Sequence, residues 1–270
     1  MGRGLCVIVG LIAMLVAPAA FAQTRPGPPP RSPFNDWSAV VVAGDWRSGD
    51  GRSTEAFDNA RRDVAATLLA LGFKPENLTQ FSTRPDRYDT PNLERLTAQS
   101  MLDAVKTSTA RVKGGCLIYY TSHGNPKGVV LDVHGRPYVL SPGELGLIVD
   151  EACADRPAIV IISACFSGVF VPYLQGPQRM VVTAARPDRS SFGCSASDIY
   201  PFFDDCFLES VGKTRSFPAL PPAIQACVAR KETELGLGPP SEPQAFIGPD
   251  LRLTLSMMPF PKGAQGVRAP

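Results

Sequence analysis

The chain has 270 residues, 44% of them hydrophobic, and 27 Lys and Arg stand against 25 Asp and Glu for a formal charge of +2. So even a balance gives no field that would hold a polyanion or an anionic membrane, and no nucleic-acid partner is expected. Two histidines and seven cysteines, with no Cys-x-x-Cys or His-x-x-x-His spacing, exclude the common metal sites, and no cofactor is expected.

Arg3, the apolar run Leu5 to Val16 and the small-x-small site Ala20-Phe21-Ala22 read as a signal peptide over residues 1–22, cut before Gln23. The run is shorter than the roughly 20 residues a spanning helix needs. The expectation is a periplasmic or secreted protein with no stable membrane insertion after cleavage. Losing Arg3 lowers Lys and Arg from 27 to 26 against 25 acids, a charge of +1. Residues 23–36 read as a Pro-rich linker, residues 37–260 as one domain and residues 261–270 as a flexible tail.

In the domain, strands and helices alternate: strand 38–43, helix 54–71, strand 78–82, helix 92–109 and strand 116–121. Phe57, Val64, Leu68 and Leu71 give the first helix its apolar face, Ser53 is placed to cap it and Gly72 to end it. Residues 128–140 read as a hairpin turning at His134-Gly135-Arg136-Pro137, and Ser141 and Pro142 open a helix. Strands at 158–163 and 180–184 follow, then mostly helix from 198 to 235, interrupted by the prolines at 218–222. This order predicts an α/β sandwich around a largely parallel sheet. Gly44 to Gly51 is glycine-rich, but Asp45 and Asp50 would repel phosphate, and it reads as a mobile loop near the crevice.

Two strands end in chemistry. Ala158 to Ile162 runs out into Ser163-Ala164-Cys165-Phe166-Ser167-Gly168, and Cys116 to Tyr120 runs out into Thr121-Ser122-His123-Gly124. Side chains at the carboxyl ends of neighbouring parallel strands share one crevice, so His123 and Cys165 are placed to meet there. A thiol with a pKa of about 8.5 attacks poorly at neutral pH unless an imidazole takes its proton. Backbone N–H groups of Gly124 and Cys165 are candidates for binding the developing oxyanion. His134 also precedes glycine but lacks the strand-end context, and it reads as a turn residue.

These two blocks, with Ala39 to Gly44 as an opening strand and Val181 to Arg186 followed by Ser190-Ser191-Phe192-Gly193-Cys194, resemble the legumain-like (asparaginyl endopeptidase) family of cysteine peptidases in the caspase-like clan. The resemblance covers about residues 37 to 210. It implies a caspase-like three-layer sandwich, with a mostly parallel central sheet flanked by helices. His123 would be the general acid/base, Cys165 the nucleophile, and peptides or proteins the substrates, cleaved through a thioester. The pocket that selects asparagine in legumains uses an arginine and two acids. Here Ala56 or Phe57 aligns with the arginine, with Arg52, Arg61 and Arg62 nearby, while Ser163 takes one acid's place and Asp204 matches the other. Ser163 and Asp204 are thus the candidate substrate-binding residues, with a weakened preference for asparagine. The alternatives are a transpeptidase or transamidase on the same chemistry and a non-catalytic peptide-binding domain.

Six cysteines remain after signal removal. With Cys165 free, at most two disulfides and one further thiol are possible; Cys116 reads as a core residue, Cys153 is ambiguous, and Cys194, Cys206 and Cys227 are placed to staple a loop to a helix.

Overall fold

Aliphatic runs bounded by turn residues become the centre of one twisted sheet. The computed structural model describes residues 1–2 and 32–268, so the rest of the expected signal peptide and residues 23–31 of the linker lie outside the described residues. The elements, in chain order, are β1 (Trp37–Ala43), α1 (Ala56–Ala70), β2 (Leu78–Ser82), β3 (Leu93–Arg95), α2 (Ala98–Ala110), β4 (Gly115–Thr121), β5 (Gly124–Asn125), β6 (Gly128–Val133), β7 (Arg136–Leu140), α3 (Pro142–Cys153), β8 (Ala158–Ser163), α4 (Val171–Leu174), β9 (Arg179–Thr183), α5 (Phe202–Val211), α6 (Leu220–Glu234), β10 (Gln244–Ile247) and α7 (Pro249–Ser256).

The sheet runs β10-β9-β8-β4-β1-β2-β3. Only the β9–β10 pair is antiparallel. Every residue of β1, β4 and β8 is buried, as central strands covered on both faces require. Alternating side chains feed two cores. Val41, Tyr119 and Ile161 pack with α1, α5, α6 and α7 on one face; Val42, Ile118 and Ile162 pack with α2, α3, α4 and the small sheet β5-β6-β7 on the other. This is the three-layer, mostly parallel sandwich that the alternation predicts.

Several boundaries differ from expectation for local reasons. Residues 93–95 pair with β2 as an edge strand, and α2 starts only after Thr97, whose hydroxyl and backbone N–H form a reciprocal capping box with Ser100. At α1 the N-cap is Glu55, not Ser53, and its side chain makes no capping bond; Thr54 Oγ1, one residue earlier, accepts the Ala56 N–H at 3.2 Å. Gly72, at φ +99°, ends that helix in the left-handed region. Pro221 and Pro222 sit in the first turn of α6, where a missing N–H costs nothing. The C-terminal β10 and α7 were not read from the sequence. The domain also extends past 37–260: Phe34 is fully buried, stacked on Phe73 with ring centroids 5.4 Å apart, and the Val267 N–H donates to Thr67 Oγ1 at 2.8 Å.

Two disulfides form, each stapling a helix layer. Cys116 of β4 bonds Cys153 at the end of α3, so Cys116 is not the free core residue expected, and Cys206 of α5 bonds Cys227 of α6, joining helix to helix rather than loop to helix. Cys165 and Cys194 are free. No helix among the described residues is long and apolar enough to cross a membrane. Replacing Cys116 and Cys153 together by Ala is expected to lower the unfolding free energy by about 3–4 kcal/mol, the loop-closure cost of a 37-residue separation. Denaturant titration would measure this, and an unchanged midpoint would show that packing alone holds α3 to the sheet.

Candidate active site

β4 and β8 pair in parallel with Thr121 opposite Ser163, and the Ser122 N–H continues the ladder by donating to the Ser163 carbonyl at 3.0 Å. His123 and Cys165 each lie two residues beyond that pair, at the carboxyl ends of adjacent strands. The two chains stay close past the sheet. A Cβ on Gly124 would come within 2.1 Å of the Cys165 carbonyl oxygen, so only glycine permits this approach of backbone to backbone.

The turn after Cys165 is sharp. Phe166 adopts φ +57°, a left-handed conformation that costs a bulky residue roughly 1–3 kcal/mol, and its N–H is held by the Arg189 carbonyl at 2.8 Å. The turn leaves Cys165 partly exposed, with its Sγ accepting the Ser191 N–H at 3.2 Å. His123 Nε2 lies 2.8 Å from the carbonyl oxygen of Arg47. A carbonyl can only accept, so Nε2 carries the proton and Nδ1 is left as the basic nitrogen. Phe57 meets the imidazole edge to face, with centroids 5.0 Å apart. The Gly44–Gly51 loop therefore does border the crevice. A cavity of 450 Å³ opens beside Ser191, between Ser48–Asp50 and Phe192–Asp198.

Ser163 and Asp204 do not line that cavity, nor do His123 and Cys165; it adjoins Cys165 through Ser191. Ser163 and Asp204 are both buried beneath the strand ends, where Asp204 Oδ1 accepts from Tyr119 at 2.5 Å and Oδ2 from Thr121 and Ser163, each at 2.8 Å. The two residues expected to touch substrate bind each other instead, because the odd-numbered side chains of β4 and β8 face α5. Ala56 is buried as well, and Arg52, Arg61 and Arg62 are paired with Asp50, Asp58 and Asp63. His134 is at φ +53° in the β6–β7 turn, as its sequence context indicates. Cys194, the other free thiol among the described residues, lines the cavity. Burial, and then the neighbouring Cys165, push its pKa up to about 11, so it stays protonated at neutral pH.

Burial pushes the Asp204 carboxyl up to about 7, against the opposing pull of its three hydroxyl donors. The folded protein therefore holds this proton more tightly than the unfolded chain, whose value is near 3.8. Stability from this group is present below about pH 4 and is lost as pH rises through about 7. In Asp204→Asn that component is absent. Denaturant midpoints of the wild type should fall relative to those of Asp204→Asn between pH 4 and 7, by on the order of 4 kcal/mol in free energy. Parallel pH profiles would contradict a protonated buried carboxyl.

The model of the peptidase C13 family matches residues 90–215, a span that contains both His123 and Cys165. No curated protein matches the chain. Among solved structures, caspase-1 from Spodoptera frugiperda is similar with a TM-score of 0.55 at 14% identity, covering 80% of this chain and 88% of that one. Protein GSU0716 from Geobacter sulfurreducens is similar with a TM-score of 0.53 at 15% identity, covering 87% of this chain and 98% of that one. At these identities the structures establish the fold, and the family match supports a cysteine-peptidase type of function. The chain thus resembles the peptidase C13, legumain family through the middle of its domain, and it has a caspase-like fold.

Proposed function

We propose that this protein is an endopeptidase in which Cys165 is the nucleophile and His123 the general acid/base. The observation that supports the reading is the register of β4 and β8, in which His123 and Cys165 each follow the Thr121–Ser163 pair by two residues, while the Arg47 carbonyl faces His123 Nε2. Nδ1 then takes the Cys165 proton as Sγ attacks the scissile carbonyl carbon. The oxygen of the tetrahedral intermediate gains negative charge and accepts from the backbone N–H groups of Gly124 and Cys165. Collapse breaks the C–N bond, and the imidazolium gives its proton to the leaving amine. Water, deprotonated by His123, hydrolyses the thioester and releases the carboxylate product and the free thiol.

Peptides or proteins are the substrates. Because Ser163 and Asp204 hold each other below the sheet, the side chain of the cleaved residue meets the crevice loops, Ser48–Asp50 and Ser191–Asp198, rather than a legumain's charged pocket. The signal peptide directs the chain out of the cytoplasm, and two disulfides suit an oxidising compartment.

Cleavage of a peptide library by the purified mature protein tests the reading. Cys165→Ala and His123→Ala are each expected to reduce turnover by at least about three orders of magnitude, and His134→Ala to leave it unchanged. Iodoacetamide should label Cys165 before Cys194, which stays a thiol at neutral pH. Retained turnover in Cys165→Ala, or preferential labelling of Cys194, would refute the assignment.

A further inference from the structure

The Arg47 carbonyl can orient His123 only if the loop that carries it holds still, and between β1 and α1 that loop has no regular structure beyond one bridge from Arg47 to Ser53. Side chains do the work of a ladder here. Asp45 accepts the backbone N–H groups of Trp46 at 2.7 Å and Arg47 at 3.0 Å, and it pairs with the Arg47 guanidinium at 3.2 Å. From the opposite side comes Asp132, on β6. Its Oδ2 accepts the Trp46 indole N–H at 2.8 Å and lies 3.1 Å from Arg47 Nη2, and its own backbone N–H donates to the Gly44 carbonyl at 2.7 Å. The guanidiniums of Arg47 and Arg84 lie over the Trp46 ring, 5.3 and 5.1 Å from its centroid.

Asp132 is out of place for a hairpin strand. It is only 3% exposed, next to the buried Leu131, and its Oδ1 is buried with no hydrogen-bond partner. A carboxylate in that position is unfavourable on its own account. What it does gain is a grip on two consecutive residues, the second of which presents its carbonyl to His123.

We propose that Asp132 is a positioning residue for the peptidase reaction. Through Trp46 and Arg47 it aims the Arg47 carbonyl at His123 Nε2 and keeps the imidazole in the tautomer whose Nδ1 receives the Cys165 proton. It does not touch the reacting atoms. The inference rests on the assignment of His123 and Cys165 made above.

The test compares wild type, Asp132→Ala, Asp132→Asn, Trp46→Phe and His123→Ala on a peptide that the wild type cleaves. Asp132→Ala should lower kcat by about 10- to 100-fold with KM unchanged, the size of effect that misplacing a catalytic group produces. Asp132→Asn, which keeps an oxygen for the indole N–H, should recover part of the loss. The chain has only two histidines, so ring-nitrogen NMR resolves His123: one Nε2–H tautomer in the wild type, and a mixture in Asp132→Ala. If Asp132→Ala does not fold, Trp46→Phe carries the test, since it removes the indole N–H and keeps an aromatic ring, and a smaller fall in kcat with the same tautomer mixing is expected. An unimpaired kcat and a single tautomer in Asp132→Ala, or in Trp46→Phe where it stands in, beside an inactive His123→Ala, would overturn this inference alone. Full activity in His123→Ala would overturn the assignment beneath it.

Discussion

The parallel pairing of β4 with β8 is the constraint from which the site follows. Thr121 lies opposite Ser163, and each chain needs only two more residues to reach its reactive side chain. A one-residue slip would turn every side chain of one strand to the other face. Two features oppose that slip. Underneath, Asp204 gathers Tyr119 and Thr121 from one strand and Ser163 from the other onto a single buried carboxyl. Above, the bare Cα of Gly124 lets the two chains run on in contact past the sheet. The buried acid thus joins the strands at the level where their ends must match, and a substrate-facing position would deprive it of that role.

The second half of the site comes from outside the sheet. Nothing in β4 fixes how the His123 ring is turned; that is set by a carbonyl in the β1–α1 loop and by the edge-to-face contact with Phe57 of α1. The loop is in turn anchored to the small sheet through Asp132. Three separate parts of the chain therefore determine one imidazole. Cys165 is oriented differently, by the left-handed Phe166 in the turn after β8 and by the Ser191 N–H from the loop between β9 and α5.

Much of this was legible in the sequence because it is local. Aliphatic runs ending in His-Gly and in Ala-Cys announce strand ends, and the alternation of runs with amphipathic stretches announces a covered parallel sheet. Edge elements were harder to read. Leu93 to Arg95 is too short and polar to stand out from the helix after it, and β10 follows a loop in which nothing alternates. The role of Asp204 could not be read at all, since it depends on three hydroxyls 41 to 85 residues away in sequence that only strand register brings together. The same holds for Asp132 and Trp46, 86 residues apart. Cys116 reads as core by pattern and is core by burial, but its partner on α3 depends on how that helix lies on the sheet.

Specificity is where family resemblance and this chain part. The positions that the resemblance aligns with a legumain's charged pocket are here Ala56 or Phe57, the Ser163 hydroxyl and the internally satisfied Asp204, while the open volume beside Ser191 is walled by two loops. Ser191, which lines that volume, also donates its N–H to Cys165 Sγ, so the cavity adjoins the thiol. The most direct measurement is a crystal structure of the protein reacted with a peptidyl aldehyde. The account predicts a bond from Cys165 Sγ to the aldehyde carbon, with the resulting oxygen between the N–H groups of Gly124 and Cys165 and the peptide side chain in the crevice of Ser48–Asp50 and Ser191–Asp198. An adduct on Cys194, or an oxygen directed away from Gly124, would contradict it.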